Sequence, residues 1–105
     1  MDIFSTLFET IEYRKGKDPK ESYVSSLMAK GTEKINSKIT EEAAETCEAA
    51  LENDKEHLIY EICDLIFHTF VLAGYKNITL DDIRKELERR HGTSGLTEKA
   101  QRGNK

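Results

Sequence analysis

Residues 58–75 would form a helix that is apolar on almost every side. At 3.6 residues per turn, the polar side chains in and just before this stretch fall on one narrow strip. A helix of this kind lies inside a protein, and acids on it are costly to bury without a compensating charge. This stretch therefore predicts a helical protein whose central helix carries acids that need a partner. The strip consists of His57, Glu61, Asp64 and His68.

A second group of acids lies before this helix, across a polar break at residues 53–54. Glu45 and Glu61 are about equally far from the break, so an antiparallel pair of helices places them side by side. The same holds for Glu42 and Asp64. Within each helix the two acids are three residues apart and share a face. The spacing therefore predicts four carboxylates that converge between two helices.

Two hypotheses explain this convergence. The acids could form structural ion pairs with basic residues such as Lys34 and Lys38. Alternatively, they could hold a hard divalent cation such as Mg²⁺, which prefers oxygen ligands. The matched heights favour the cation, because four carboxylates at one place repel each other. The predicted metal ligands are Glu42, Glu45, Glu61 and Asp64.

The composition narrows the class of protein. The 105 residues fit one domain, and the net charge of -4 argues against a general nucleic-acid binder. No uncharged apolar run reaches about 18 residues and no secretory signal is present, so we expect no membrane span and a cytoplasmic location. Cys47 and Cys63 lie among apolar residues, and we expect reduced core cysteines.

We predict an all-α fold, a single domain over residues 1–105. It would be a small bundle of four to five helices around the central antiparallel pair. Because so short a chain can hardly cover so apolar a helix, we expect a second copy to complete the bundle in a homodimer. Residues 92–105 are rich in Gly, Thr and Ser and are expected to be an irregular tail. The helix start signals are Asp18 with Pro19 and Glu21, Thr32, Asn53 with Glu56, and Thr79 with Asp82.

The acid pattern also resembles a known family signature. Glu41-Glu42-x-x-Glu45 followed by Glu61-x-x-Asp64 is similar to the signature of the all-α, MazG-like nucleotide pyrophosphohydrolases. Further segments resemble one family within that group, the phosphoribosyl-ATP pyrophosphohydrolases of histidine biosynthesis. These segments are Ser22-Tyr23, Lys30-Gly31, Phe67-His68 and Gly92-x-Ser94-Gly95.

The resemblance implies Mg²⁺-dependent hydrolysis of 1-(5-phosphoribosyl)-ATP to 1-(5-phosphoribosyl)-AMP and pyrophosphate. It implies that Glu42, Glu45, Glu61 and Asp64 hold the metal, and that dimers complete the bundle. Glu41 would orient or deprotonate the attacking water, although its direction on the helix also suits a second metal or a partner subunit. The residues expected to bind the phosphates are Arg14, Lys15, Lys30, Lys34, Lys38 and Ser94.

Two other functions fit the same residues. One keeps the chemistry and changes the substrate, as in a hydrolase that removes non-standard nucleoside triphosphates. The other is a non-catalytic helical dimerisation module with buried ion pairs. Mg²⁺ dependence separates both enzymes from the module, and a comparison of substrates separates the two enzymes.

Overall fold

The computed structural model describes residues 2–102, and this part of the chain contains six α-helices and no β-strand. The all-α prediction is therefore confirmed, with one helix more than the four to five expected. In chain order the helices are α1 (Ile3–Arg14), α2 (Tyr23–Lys30), α3 (Thr32–Leu51), α4 (Lys55–Tyr75), α5 (Leu80–Arg90) and α6 (Gly95–Arg102).

The two long helices α3 and α4 form the centre of the molecule. Near the turn, the Thr46 hydroxyl lies 3.2 Å from the carbonyl oxygen of Glu61. At the other end, Ile35 and Val71 meet in the same buried core cluster. Because contacts run in opposite directions along the two helices, the pair is antiparallel, with the register that the acid spacing predicts.

The core lies where α1 and α2 pack against this pair. Ile11, Val24 and Leu27 are buried there together with Ile35 and Val71. A Cβ atom on Gly74 would lie 3.1 Å from Cγ2 of Ile11, so the absence of a side chain lets α1 approach α4 closely. The helix α5 lies beside α1, where Arg84 donates a hydrogen bond to the Asp2 carboxylate over 2.9 Å.

The start of α2 differs from the prediction. Asp18 does not cap a helix at Pro19; its carbonyl instead accepts hydrogen bonds from Glu21 and Ser22 in a tight turn. Ser22 caps the helix, since its hydroxyl accepts the Ser25 N–H. Two start signals four residues apart compete here, and the later one begins the helix at Tyr23.

The observed caps of α3 and α4 lie one residue from the predicted ones, whereas the cap predicted for α5 is confirmed. Gly31, with φ at +87°, precedes α3, so Thr32 is the first helical residue and provides no side-chain cap. Asp54 rather than Asn53 caps α4. Thr79 and Asp82 form the reciprocal capping box predicted for α5.

The prediction of an irregular tail is wrong for residues 95–102, which form α6. The Ser94 hydroxyl accepts the Thr97 N–H over 3.0 Å and caps this helix. Arg89 of α5 pairs with Glu98 of α6 at 2.9 Å. The helix thus depends on a cap and an ion pair, although Gly, Thr and Ser suggest a loop. Residues 103–105 of the predicted tail lie outside the described part.

The predicted burial of the fourth helix is incomplete in a single chain. Ile59, Tyr60 and Ile62 of α4 are 49%, 64% and 40% exposed. Cys47 and Cys63 carry no disulfide, as expected, but both are exposed rather than in the core. The turn-proximal part of the central pair therefore leaves an apolar surface uncovered.

The helix α4 is long and apolar enough to cross a membrane when judged by length and composition. The core helix of a globular protein meets the same criteria. Glu61 and His68 of α4 are both buried, and α4 packs against α3, α1 and α2. This packing is typical of a core helix.

Candidate functional site

Three carboxylates converge between α3 and α4. Glu42 and Glu45 come from α3 and Glu61 from α4, and one carboxylate oxygen of each lies within 4.8 Å of the other two. Glu42 and Glu61 are only 4% and 6% exposed, and Glu45 is half-buried. The prediction that Glu45 and Glu61 lie side by side agrees with this geometry.

Thr46 joins the two helices at the height of these acids. Its hydroxyl donates a hydrogen bond over 2.7 Å to the Glu42 carbonyl and also lies 3.2 Å from the carbonyl of Glu61. The hydroxyl has one proton and donates it to Glu42, so its approach to Glu61 indicates that the two backbones come close at the height of the carboxylates. The spacing of the acids does not predict this position of Thr46.

The acids disfavour each other's charged forms. Burial raises the pKa of Glu42 to about 7, and the nearby carboxyl groups of Glu45 and Asp64 add to this rise. Burial also raises the pKa of Glu61, and the neighbouring Glu45 raises it further. Both shifts have the direction expected for crowded acids without sufficient positive charge around them.

These residues fit a divalent cation. The donor set consists of carboxylate oxygens, which Mg²⁺ prefers. One oxygen of Glu42, Oε2, is buried and has no hydrogen-bond partner among the described residues. A cation held by the three carboxylates would supply a partner for Glu42 and offset the repulsion that raises the pKa values.

Asp64, the fourth predicted ligand, lies close to the other three but outside the tightest group. It is half-buried on α4, one turn after Glu61. Its charge raises the pKa of both Glu42 and Glu61. The structure thus brings all four predicted metal ligands into one region, with three in direct proximity.

Glu41 lies on a different side of α3 from the three-carboxylate group. It is exposed, and its carboxylate accepts a hydrogen bond from the Lys38 ammonium over 3.0 Å. The same ammonium is 3.6 Å from Glu42. The hydrogen bond to Glu41 raises the pKa of Lys38, which keeps this lysine charged at the edge of the acid cluster.

The other predicted phosphate-binding residues are spread over the molecule. Lys34 lies one turn before Lys38 on α3, and Lys30 ends α2; both are exposed. Arg14 lines a small cavity of about 280 Å³ together with Ser22, at the start of α2.

Two predicted substrate-binding residues have structural partners instead. The Lys15 ammonium donates to the Gly74 carbonyl over 2.6 Å and to Asn77 over 2.8 Å. Gly74 is 13 residues after Glu61, or about 20 Å along α4, so the structure does not bring Lys15 to the acids of its own chain. Ser94 caps α6.

Two aromatic residues without a predicted role in the site lie next to the acids. The Tyr23 hydroxyl is 2.8 Å from Nε2 of His68. His68 is 4% exposed and lies one turn after Asp64. The signal available in the sequence was the position of His68 on the polar strip of the apolar helix.

A larger cavity of about 820 Å³ lies elsewhere, between α1 and the start of α5, and none of the four predicted ligands lines it.

Comparison with known proteins identifies consistent relatives. Residues 4–91 match the family model described as phosphoribosyl-ATP pyrophosphohydrolase. The chain is 46% identical over 103 residues to the phosphoribosyl-ATP pyrophosphatase of Rhodobacter capsulatus, covering 98% of this chain and 100% of that protein. It is 48% identical over 103 residues to that of Ruthia magnifica, covering 98% of both. The enzyme of the same name from Neisseria gonorrhoeae is 46% identical over 100 residues, covering 95% of this chain and 94% of that protein.

Proposed function

Because the chain belongs to the phosphoribosyl-ATP pyrophosphohydrolase family, it hydrolyses phosphoribosyl-ATP, and we propose that it requires Mg²⁺ to do so. The proposed products are 1-(5-phosphoribosyl)-AMP and pyrophosphate, which makes the reaction the second step of histidine biosynthesis. We expect the enzyme to act in the cytoplasm. The single observation that carries the proposed metal dependence is the group of three carboxylates between α3 and α4.

Glu42, Glu45 and Glu61 would hold the cation, with Asp64 as the fourth ligand. When bound, Mg²⁺ would offset the charge of the phosphate oxygens and acidify a nearby water. The hairpin of α3 and α4 contributes the arrangement of oxygens, and the two backbones come close at this height beside Thr46. Binding of the cation would also stabilise the ionised form of Glu42.

Glu41 is the proposed group that orients or deprotonates the attacking water. It precedes the metal ligand Glu42 and stands outside the three-carboxylate group, so its carboxylate is not required as a ligand. A general base needs to reach the water, so the exposed Glu41 side chain would have to turn toward the three-carboxylate group. In the absence of substrate, its hydrogen bond with Lys38 keeps it close to the site.

Lys38 is the proposed nearest phosphate ligand. Its ammonium already lies 3.6 Å from Glu42, and Lys34 and Lys30 continue the positive charge away from the acids. Arg14 beside Ser22 would extend the same basic surface. A role of Lys15 and Ser94 in substrate binding stays a prediction. Both side chains have structural partners in this chain.

Pyrophosphate release from phosphoribosyl-ATP, measured with Mg²⁺ and then with EDTA, tests the function. We expect release that depends on Mg²⁺. A panel of free nucleoside triphosphates assayed in parallel tests the choice of substrate, because a hydrolase of non-standard nucleotides would prefer the panel. Release that is unaffected by EDTA would contradict the proposed metal site.

We further propose that the enzyme is a homodimer and that the bundle is completed across the exposed part of α4. The apolar side chains of Ile59, Tyr60 and Ile62 cover adjacent turns there, and an uncovered apolar surface of this kind favours association. Sedimentation of the wild type and of Ile59→Asp tests this. We expect a dimer for the wild type and a monomer for the variant, whereas Ile3→Asp, an equally drastic change on α1, should leave the dimer intact.

A further inference from the structure

The contact between Tyr23 and His68 links the start of α2 to the acid-bearing face of α4. Tyr23 is the first residue of α2, directly after its cap Ser22. Its hydroxyl lies 2.8 Å from Nε2 of His68. The rings of Tyr23 and Phe67 are nearly parallel, with centroids 6.1 Å apart, and this stacking limits how the Tyr23 ring can move.

The second nitrogen of His68 determines the direction of this hydrogen bond. Nδ1 lies 2.8 Å from the backbone carbonyl of Asp64, and because a carbonyl only accepts, Nδ1 carries the proton. In the neutral ring Nε2 then accepts, so the Tyr23 hydroxyl donates.

As a result, the Tyr23 oxygen has only lone pairs to offer to other groups. The charges of Lys38, Glu42 and Asp64 all act on this hydroxyl, whose pKa is raised by burial, lowered by Lys38 and raised by the two acids. The hydroxyl is held by His68, whose other nitrogen bonds the backbone carbonyl of Asp64, so it lies on the acid-bearing face of α4. Ionised carboxylates cannot satisfy its lone pairs because they are acceptors too, and among the contacts of residues 2–102 the one hydrogen bond of this oxygen is that with His68.

We propose that Tyr23 is a binding residue of the site, and that His68 acts as its positioning residue by taking the hydroxyl proton. The Tyr23 oxygen would accept a hydrogen bond from an O–H donor brought in by the ligands. This donor is either a water molecule on the bound divalent cation or a hydroxyl of the nucleotide's ribose. The inference rests on the proposed function, since both donors belong to that reaction.

The exposure of Tyr23 supports a role in binding. A tyrosine that only ties two helices together is expected to be buried, whereas 51% of Tyr23 is exposed. His68, by contrast, is 4% exposed and is held on both nitrogens. A rigid buried residue thus supports an accessible one, which is the usual arrangement of a positioning group and a group that meets the ligand.

Calorimetric titration of the folded full-length protein provides the test, with Tyr23→Phe as the main variant. Mg²⁺ alone is the first probe. The product phosphoribosyl-AMP, added in the presence of Mg²⁺, is the second probe, since it keeps the ribose hydroxyls and is not hydrolysed further. We expect Tyr23→Phe to weaken the binding of one of the two probes by about three- to tenfold, the usual effect of losing one hydrogen bond.

The two probes identify the donor. If Tyr23→Phe weakens the binding of Mg²⁺ added by itself, the donor is a water on the cation. If Mg²⁺ binding is unchanged and phosphoribosyl-AMP binding is weaker, the donor is a ribose hydroxyl. Unchanged affinity for both probes, with a lower melting temperature as the sole effect, would overturn the proposal, because Tyr23 would then only connect α2 to α4. Tyr75→Phe is the matched control, since it removes a partly buried hydroxyl at the far end of α4.

Variants of His68 test its positioning role separately. His68→Gln can still accept from Tyr23 through its amide oxygen and should retain most of the affinity, whereas His68→Leu should lose as much as Tyr23→Phe. The Tyr23→Phe, His68→Leu double variant should lose no more than either single variant, because both remove the same hydrogen bond. Fully additive losses would contradict this.

Failure of the proposed function gives a different result. A wild type that binds Mg²⁺ and phosphoribosyl-AMP but releases no pyrophosphate from phosphoribosyl-ATP would contradict the reaction while leaving the role of Tyr23 to the binding data. A wild type that binds neither probe would contradict both.

Discussion

Two groups of acids in this protein are each formed by two consecutive helices and have opposite properties. Between α3 and α4, burial and neighbouring carboxyl groups raise the pKa of Glu42 to about 7. Between α5 and α6, Glu86 accepts hydrogen bonds from Arg89 and Arg90, both at 2.8 Å, and these lower its pKa to about 2.

The two groups differ in the source of the positive charge that neutralises them. At the α5–α6 end, arginines three and four residues after Glu86 neutralise it within one helix, and Arg89 also reaches Glu98. At the hairpin, Lys38 comes to 3.6 Å from Glu42, while Glu45 and Glu61 crowd the same place. In the first group arginines of the chain itself balance the acids, whereas the second group is suited to a cation from outside the chain.

The largest effect is expected for loss of a hairpin carboxylate. Glu42→Gln, or Asp64→Asn, should reduce Mg²⁺-dependent pyrophosphate release about 1,000-fold, equivalent to about 4 kcal/mol in the barrier. The fold should persist, because the change removes a repelling charge. Initial rates and far-ultraviolet circular dichroism measure the two properties.

Glu86→Gln is the matched control for this prediction. It makes the same chemical change in the compensated group and should leave the rate of pyrophosphate release unchanged. Full activity in both Glu42→Gln and Asp64→Asn would remove the argument for the metal site.

The second prediction concerns the pH dependence of stability without metal. Between the ordinary pKa of a glutamate, 4.5, and about 7, folded Glu42 holds a proton that the unfolded chain has released. Stability should therefore fall as pH rises from about 4.5 to about 7 in EDTA. Melting temperatures of the wild type and Glu42→Gln measure the contribution, which the variant should lack.

Mg²⁺ and Glu86 sharpen this comparison. Saturating Mg²⁺ should remove the loss of stability near pH 7, because a bound cation favours ionised carboxylates. The contribution of Glu86 to stability has the opposite pH dependence. Its lowered pKa stabilises the fold above pH 4.5, and this stabilisation is lost as pH falls toward about 2. A wild-type melting temperature in EDTA with the same pH profile as that of Glu42→Gln would contradict the assignment.

A smaller and local effect is expected at the other group. Arg89→Gln removes the pairing of Arg89 with Glu86 and Glu98, so α6 should lose its ionic contact with α5. Hydrogen exchange of the α6 amides should become faster, while Mg²⁺ affinity stays at the wild-type value. Lys85→Gln, which removes an exposed pair on α5 only, is the control. Unchanged exchange in α6 would show that this ion pair does not hold the helix.

The smallest effect on the pH dependence of stability is expected for Lys38→Gln. Lys38 lowers the pKa of Glu42, so its removal should move the pH-dependent loss of stability in EDTA upward by less than about one pH unit. The same melting experiment measures this shift. A downward shift would mean that Lys38 does not compensate the acids.

Features that depend on local spacing were predictable from the sequence. The all-α class, the antiparallel register of α3 and α4 and the capping box of Thr79 and Asp82 all follow from residues close together in the chain. The proximity of Glu45 and Glu61 also follows, because a short turn between two helices leaves only one register.

Features that depend on contacts between distant residues were decided by the tertiary structure. The helix α6 forms in a segment with loop-like composition, capped by Ser94 and held by Arg89, and Lys15 bonds to Gly74 at the end of α4. The hydrogen bond of Tyr23 to His68 joins residues 45 positions apart. Local spacing constrains which residues share a helix face, but a hydrogen bond between two helices depends on how they pack, and packing is determined by the whole core at once.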